Sequence, residues 1–223
     1  MKLNKILAAA SATLALVIGG SAAVAAPVTV DLEYKGNLGS GTPTVRIKGT
    51  NRSPITVAAG EFEMEKKSDP SDHFYYSDTV NAFCIEISTL LVPRGKTGTY
   101  VIESGLGYFS DADIQTKIDA LFTNYYLDAQ ENAEKNAAFQ IALWSIIDSQ
   151  FKFWNASSEI EGLVDGYLAG LADKGTGGYE FYVLTIKGNQ DLITVRPVPE
   201  PAILALLGGG LLGVALLRRR RVN

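Results

Sequence analysis

Hydrophobic and polar positions alternate from Val28 onward: Val28, Val30, Leu32 and Tyr34 fall on one face, Thr29, Asp31, Glu33 and Lys35 on the other. A period of two marks a half-buried strand. Residues 36–41, bounded by Gly36 and Gly41, read as a turn. Further strands are predicted over 44–49, where Val45 and Ile47 alternate, then over 55–59, 61–64, 73–87 and 97–103. Residues 65–72 are polar, contain Pro70 and read as a loop.

The period then changes. Ser110 with Asp113 three residues later resembles a helix start. Ile114, Ile118, Leu121, Phe122 and Tyr125 follow on one stripe. Asp128 with Glu131 predicts a second start, and 129–147 contains no Gly or Pro. Ser158 with Glu161 predicts a third helix, carrying Ile160, Leu163, Val164, Tyr167 and Leu168 and stopping by Gly175–Gly178. Strands resume over 179–187 and 192–195. Strands, then helices, then strands imply an α+β fold: an antiparallel β-sandwich or barrel with an inserted helical subdomain. No internal repeat is visible.

The two ends follow neither period. Lys2 and Lys5 precede an apolar run from Ile6 to Gly19, and Ala23-Val24-Ala25 is a small-x-small cleavage site. Residues 1–25 therefore read as a secretory signal peptide cut between Ala25 and Ala26. At the other end Val198-Pro199-Glu200-Pro201 precedes an apolar, Gly-containing stretch over 202–217, and Arg218, Arg219, Arg220 and Arg221 follow at once. Such a stretch suits a short, close-packing transmembrane helix, with the arginines held on the cytoplasmic side. Residues 26–196 are then the extracytoplasmic domain, and 197–223 the tail.

Charge sharpens this division. Six of the 20 basic residues lie in the two ends, leaving 14 against 24 acidic residues and a net charge of −10 between Lys5 and Arg218. An acidic exported domain argues against a nucleic-acid partner. The chain has one cysteine, Cys84, and one histidine, His73. An intramolecular disulfide is impossible, and a Cys/His metal site lacks its ligands, so neither metal nor cofactor is expected. No Ser/His/Asp motif surrounds His73, which argues against a hydrolase.

The tail resembles the PEP-CTERM sorting signal, combining the Pro-Glu-Pro triplet, the Gly-containing apolar stretch and the arginine cluster in order. The resemblance implies recognition by an exosortase after Sec export and signal-peptidase cleavage. It also implies a Gram-negative host that makes exopolysaccharide. The protein would pass from an inner-membrane-anchored precursor to the cell surface or the extracellular biofilm matrix.

Candidate chemistry lies in the middle of the chain. The second predicted helix is apolar nearly all round at its C-terminal end, so Gln140 falls in a dry place. An unpartnered buried amide costs about 1–3 kcal/mol, so Gln140 must be satisfied or must react. Cys84 lies among apolar residues, and a buried cysteine taken alone is ordinarily an inert small hydrophobe. Together, Phe83-Cys84-Ile85-Glu86 and Phe139-Gln140-Ile141-Ala142-Leu143-Trp144 resemble the paired motifs of bacterial thioester domains. Phe139 stands where Gram-positive members usually carry Thr. The resemblance implies that Cys84, on a strand, and Gln140, on a helix, join into an internal thioester with loss of ammonia. Phe83, Phe139, Ala142 and Trp144 would pack around the bond. A backbone N–H near Cys84 is the expected donor to the developing oxyanion. The implied function is an adhesin that acylates surface-protein amines or polysaccharide hydroxyls once, and so is not an enzyme. The alternative is a non-covalent structural or carbohydrate-binding matrix protein with the same tail.

Three other features have plainer readings. Ser68-Asp69-Pro70-Ser71-Asp72 lacks the EF-hand pattern and suits a solvated loop. Tyr125-Tyr126 and Phe151-Lys152-Phe153-Trp154 are candidate sugar-stacking groups, although aromatics at these spacings more often fill a core.

Overall fold

In the computed structural model, which describes residues 26–38, 41–50, 53–74, 77–172 and 174–198, the alternation beginning at Val28 becomes strand β1 (Thr29–Asn37). Val30 and Leu32 are buried. Five later strands join it: β4 (Phe62–Ser68), β5 (Thr79–Cys84), β6 (Thr97–Ser104), β8 (Tyr179–Thr185) and β9 (Leu192–Pro197). They close an antiparallel barrel in the order β1-β4-β5-β9-β8-β6. Closure removes the open edges that an exposed sheet would present to other chains. The register of β1 on β4 shifts between Asp31 and Leu32 and again between Tyr34 and Gly36. Such irregularities bend a strand, as closure requires.

A smaller sheet in the order β3-β2-β7 is built from β2 (Thr44–Lys48), β3 (Ile55–Ala58) and β7 (Lys152–Trp154). Helices α1 (Ala112–Ala129), α2 (Ala133–Ile147) and α3 (Ser158–Ala169) lie between β6 and β8 in the chain. Helix α2 packs against both α1 and α3 and reaches β5. Every residue from Asn136 to Trp144 is buried. The architecture is thus mostly β, a six-stranded antiparallel barrel with three helices between its strands.

Several boundaries differ from expectation. The helices are capped by Asp111, Asn132 and Ser157, not by Ser110, Asp128 and Ser158. Asp128 and Glu131 instead hold Lys135, at 2.5 and 2.7 Å, across the turn between α1 and α2. Strand β4 continues through the expected loop as far as Ser68 because its charges are paired: Lys35 and Lys67 each bridge Glu33 and Glu65. The Lys67 and Lys35 ammonium groups hold the Glu65 carboxyl down at about 2. Of the strand expected over 73–87, only Thr79–Cys84 is formed among the described residues, as β5. Strand β7 was not expected: three residues are too few to show a period, and its pairing with β2 is tertiary.

Among the described residues, no helix is long and apolar enough to cross a membrane. The expected signal peptide, Ala25, Pro199, Glu200, Pro201, the 202–217 stretch and the arginine cluster all lie outside the described residues. Ala26 is exposed, and Val198, also exposed, donates its N–H to the Gly178 carbonyl at 3.0 Å.

Candidate functional site

Cys84 is the last residue of β5, where the strand loses one neighbour before the other. On one side β5 pairs with β4 only as far as Ala82, opposite Phe62. On the other, Phe83 and Cys84 still face Ile193 and Leu192 of β9. The N–H and C=O of Cys84 therefore need partners that β4 does not supply. Gln140 provides both. The Cys84 N–H donates to Gln140 Oε1 at 2.9 Å, and Gln140 Nε2 donates to the Cys84 carbonyl at 2.9 Å. A side-chain carboxamide takes the place of a strand peptide, in a site where Cys84 is 1% exposed and Gln140 0%.

One turn earlier on α2, Asn136 does similar work. Its Oδ1 accepts the Glu61 N–H at 2.7 Å, and its Nδ2 donates to the Ala129 carbonyl at 3.3 Å. Two amides at i and i+4 on one helix face thus tie α2 to the entry of β4 and the end of β5. Their spacing on an otherwise apolar helix was the available sequence signal for Asn136, which sequence reasoning missed.

The geometry has a chemical consequence. A hydrogen bond from the Cys84 N–H polarises the Gln140 carbonyl and lies where an oxyanion would need a donor. The nitrogen that would leave is held by the Cys84 carbonyl. Both ends of the carboxamide are thus gripped by the backbone of the residue that carries the thiol. The Cys84 thiol donates to the Glu86 carbonyl at 3.2 Å. Tyr100 is fully buried and its hydroxyl has no hydrogen-bond partner. Burial, with Asp191 and Cys84 adding, raises its pKa well above the ordinary tyrosine value, so the phenol stays neutral.

Phe83, Phe139, Ala142 and Trp144 are all buried. The Phe83 and Phe139 rings lie 4.8 Å apart, and Phe122 meets Phe139 edge-on at 4.9 Å. Ala142 is fully buried. Trp144 is 3% exposed and packs on Phe151, but its indole Nε1 has no acceptor. Cys84 and Trp144 both line a cavity of about 370 Å³ between the barrel, the small sheet and the segment from Ile87 to Arg94.

Elsewhere the plainer readings prevail. Asp69 turns inward to accept the Phe74 N–H at 2.6 Å. No group of three or more His, Cys, Asp or Glu side chains among the described residues is placed to hold a metal ion. His73 packs edge-on to Tyr182, with centroids 4.7 Å apart. Tyr125 and Tyr126 pack on Tyr167 and on the Phe83–Phe139 cluster. Phe151 and Phe153 stack at 6.3 Å and pack against the core.

Residues 197–221 match the model of the PEP-CTERM protein-sorting motif. No curated protein sequence matches the chain. Among solved structures, the N-terminal thioester domain of a surface protein from Clostridium perfringens aligns with a TM-score of 0.49 at 9% identity, covering 70% of this chain and 100% of that one. The N-terminal domain of the Streptococcus pyogenes pilus tip adhesin Cpa aligns with a TM-score of 0.49 at 14% identity, covering 79% of this chain and 96% of that one. The chain carries a PEP-CTERM protein-sorting motif, which implies a secreted, membrane-processed surface protein.

Proposed function

We propose that this surface protein attaches covalently to amine or hydroxyl groups through an internal thioester between Cys84 and Gln140. The observation that carries the reading is the two-point grip of the Gln140 carboxamide by the Cys84 backbone. In the forming step the Cys84 sulfur adds to the Gln140 carboxamide carbon. The C–N bond breaks, and ammonia leaves with the thiol proton. The Cys84 N–H supports the oxyanion between these events. An incoming amine or hydroxyl then attacks the same carbon, the C–S bond breaks, and the proton returns to sulfur. Gln140 ends as an amide or ester of the partner, and Cys84 is again a thiol.

Each molecule reacts once, so the protein is not an enzyme. Exosortase processing of an inner-membrane precursor in a Gram-negative cell, followed by display on the surface or in an exopolysaccharide matrix, fits the tail. The same pairing left unreacted would suit a non-covalent matrix protein, because the amide is already satisfied.

Methylamine treatment followed by peptide mapping tests the proposal. The expected adduct lies on Gln140 and is absent from the Cys84→Ala and Gln140→Ala chains. An adduct on another residue, or one that persists in either variant, would overturn the assignment.

A further inference from the structure

The cavity of about 370 Å³ has Cys84 among its lining residues. Its walls are largely apolar, with Ile55, Val57, Leu90 and Val92 among them, and Tyr34, Phe62 and Trp144 add aromatic surface. No Asp or Glu lines it among the described residues, and Arg94 is its charged lining residue. Arg94 makes no ion pair with a described residue and is exposed on a turn. That turn is pinned where the Gly95 N–H donates to the Tyr34 carbonyl at 2.8 Å. Gly95 takes φ +75°, a conformation that suits glycine.

Two buried donors in the same lining lack acceptors. Asn37 Oδ1 accepts from the Tyr34 hydroxyl at 3.1 Å, yet its Nδ2 has no partner. Trp144 Nε1 has none either. Buried donors without acceptors are uncommon in folded proteins, and beside a cavity they point to a ligand that supplies acceptors.

On the basis of the thioester reading, we infer that the acceptor is a hydroxyl of a carboxylated sugar, such as a uronic acid in an acidic polysaccharide. Its carboxylate pairs with Arg94. Its ring and hydroxyl oxygens accept from Asn37 and Trp144, and its C–H faces lie on the apolar wall. A lysine ammonium is a poor fit: it offers donors only, loses its hydration in an apolar cavity, and meets the like charge of Arg94. The transfer balances without a further reactant. The sugar oxygen bonds to the Gln140 carboxyl carbon, the C–S bond breaks, and the hydroxyl proton passes to the Cys84 sulfur, leaving an ester and a thiol.

The test incubates the full-length chain separately with oligogalacturonate, a neutral hexose oligosaccharide of equal length, a lysine-containing peptide and methylamine, and follows adducts by intact mass. Ester formation with oligogalacturonate should be roughly tenfold faster than with the neutral sugar, the scale of one charge-assisted hydrogen bond. That ratio should fall toward one in Arg94→Gln and at high salt, and should be largely kept in Arg94→Lys. Equal rates for the two sugars, or faster coupling to the lysine peptide, would overturn the inference while leaving the thioester intact. Absence of a methylamine adduct would instead sink the thioester reading and this inference with it.

Discussion

Removing Gln140 from a chain that cannot form the thioester isolates what its carboxamide contributes to the fold. In a Cys84→Ala background the amide still spans the N–H and C=O of residue 84, since both bonds, at 2.9 Å, are to the backbone. A further Gln140→Ala change removes the carboxamide from both groups. The site is dry, with residues 84 and 140 at 1% and 0% exposure. Losing a buried hydrogen-bond partner costs about 1–3 kcal/mol, so loss of the two bonds should make the double variant less stable than Cys84→Ala by about 2–6 kcal/mol. Gln140→Glu in the same background keeps the shape. A protonated carboxyl can accept the N–H and donate to the C=O as the amide does, whereas a carboxylate would face the carbonyl without a proton. Burial raises the folded-state pKa of such a carboxyl above its unfolded value of about 4.3. Its stability is then fully present below pH 4 and is lost as pH rises through the folded pKa, at about 1.4 kcal/mol per unit. Urea unfolding at pH 4 and pH 8 measures both effects. An alanine double variant within 1 kcal/mol of Cys84→Ala, or a glutamate variant whose stability is flat with pH, would refute the pairing argument.

Three further outcomes follow from neighbouring residues. Burial, partly offset by Tyr126 and Gln130, pushes the Glu61 carboxyl up to about 7 from an ordinary value of 4.5. Its contribution is therefore complete below about pH 4.5 and is lost as pH rises to about 7, some 3 kcal/mol in all. Chemical denaturation across that range should show the decline in the parent chain and a flatter profile in Glu61→Gln. Gly60 has φ +150°, and a Cβ there would lie 2.7 Å from Asn136 Oδ1, the acceptor of the Glu61 N–H. Gly60→Ala should lower stability by about 1–3 kcal/mol in the same denaturation assay. Phe139 is fully buried between Phe83 and Phe122, so Phe139→Ala should cost about 3–5 kcal/mol, read as a fall in denaturant midpoint.

How much of this was legible in the sequence varies with how local each feature is. The alternation in β1 and the apolar stripe of α1 are local patterns, and both predicted their elements. The continuation of β4 past Met64 was not legible. Lys67 looks like a loop residue until Glu33, from another strand, is placed beside it. The start of α2 was misplaced because Asp128 and Glu131 carry cap-like spacing but belong to the junction with α1, where Lys135 holds both. At the site, the residue types and the dryness of Gln140 could be read from the chain. The two bonds to the backbone of Cys84 could not, because they depend on the β4–β5 ladder stopping at Phe62 and Ala82, two residues short of Cys84. Nor could the donors of Asn37 and Trp144, which come together only when the small sheet and the Ile87–Arg94 segment close over the barrel end.

The most direct test of the central claim is the intact mass of the full-length chain in denaturing acid, measured beside its Cys84→Ala variant so that leader and tail processing cancel. The thioester account predicts a parent chain lighter than expected from that variant by one ammonia, with a thiol that resists alkylation until methylamine is added. A parent chain at its full sequence mass, with Cys84 alkylated at once on unfolding, would contradict it.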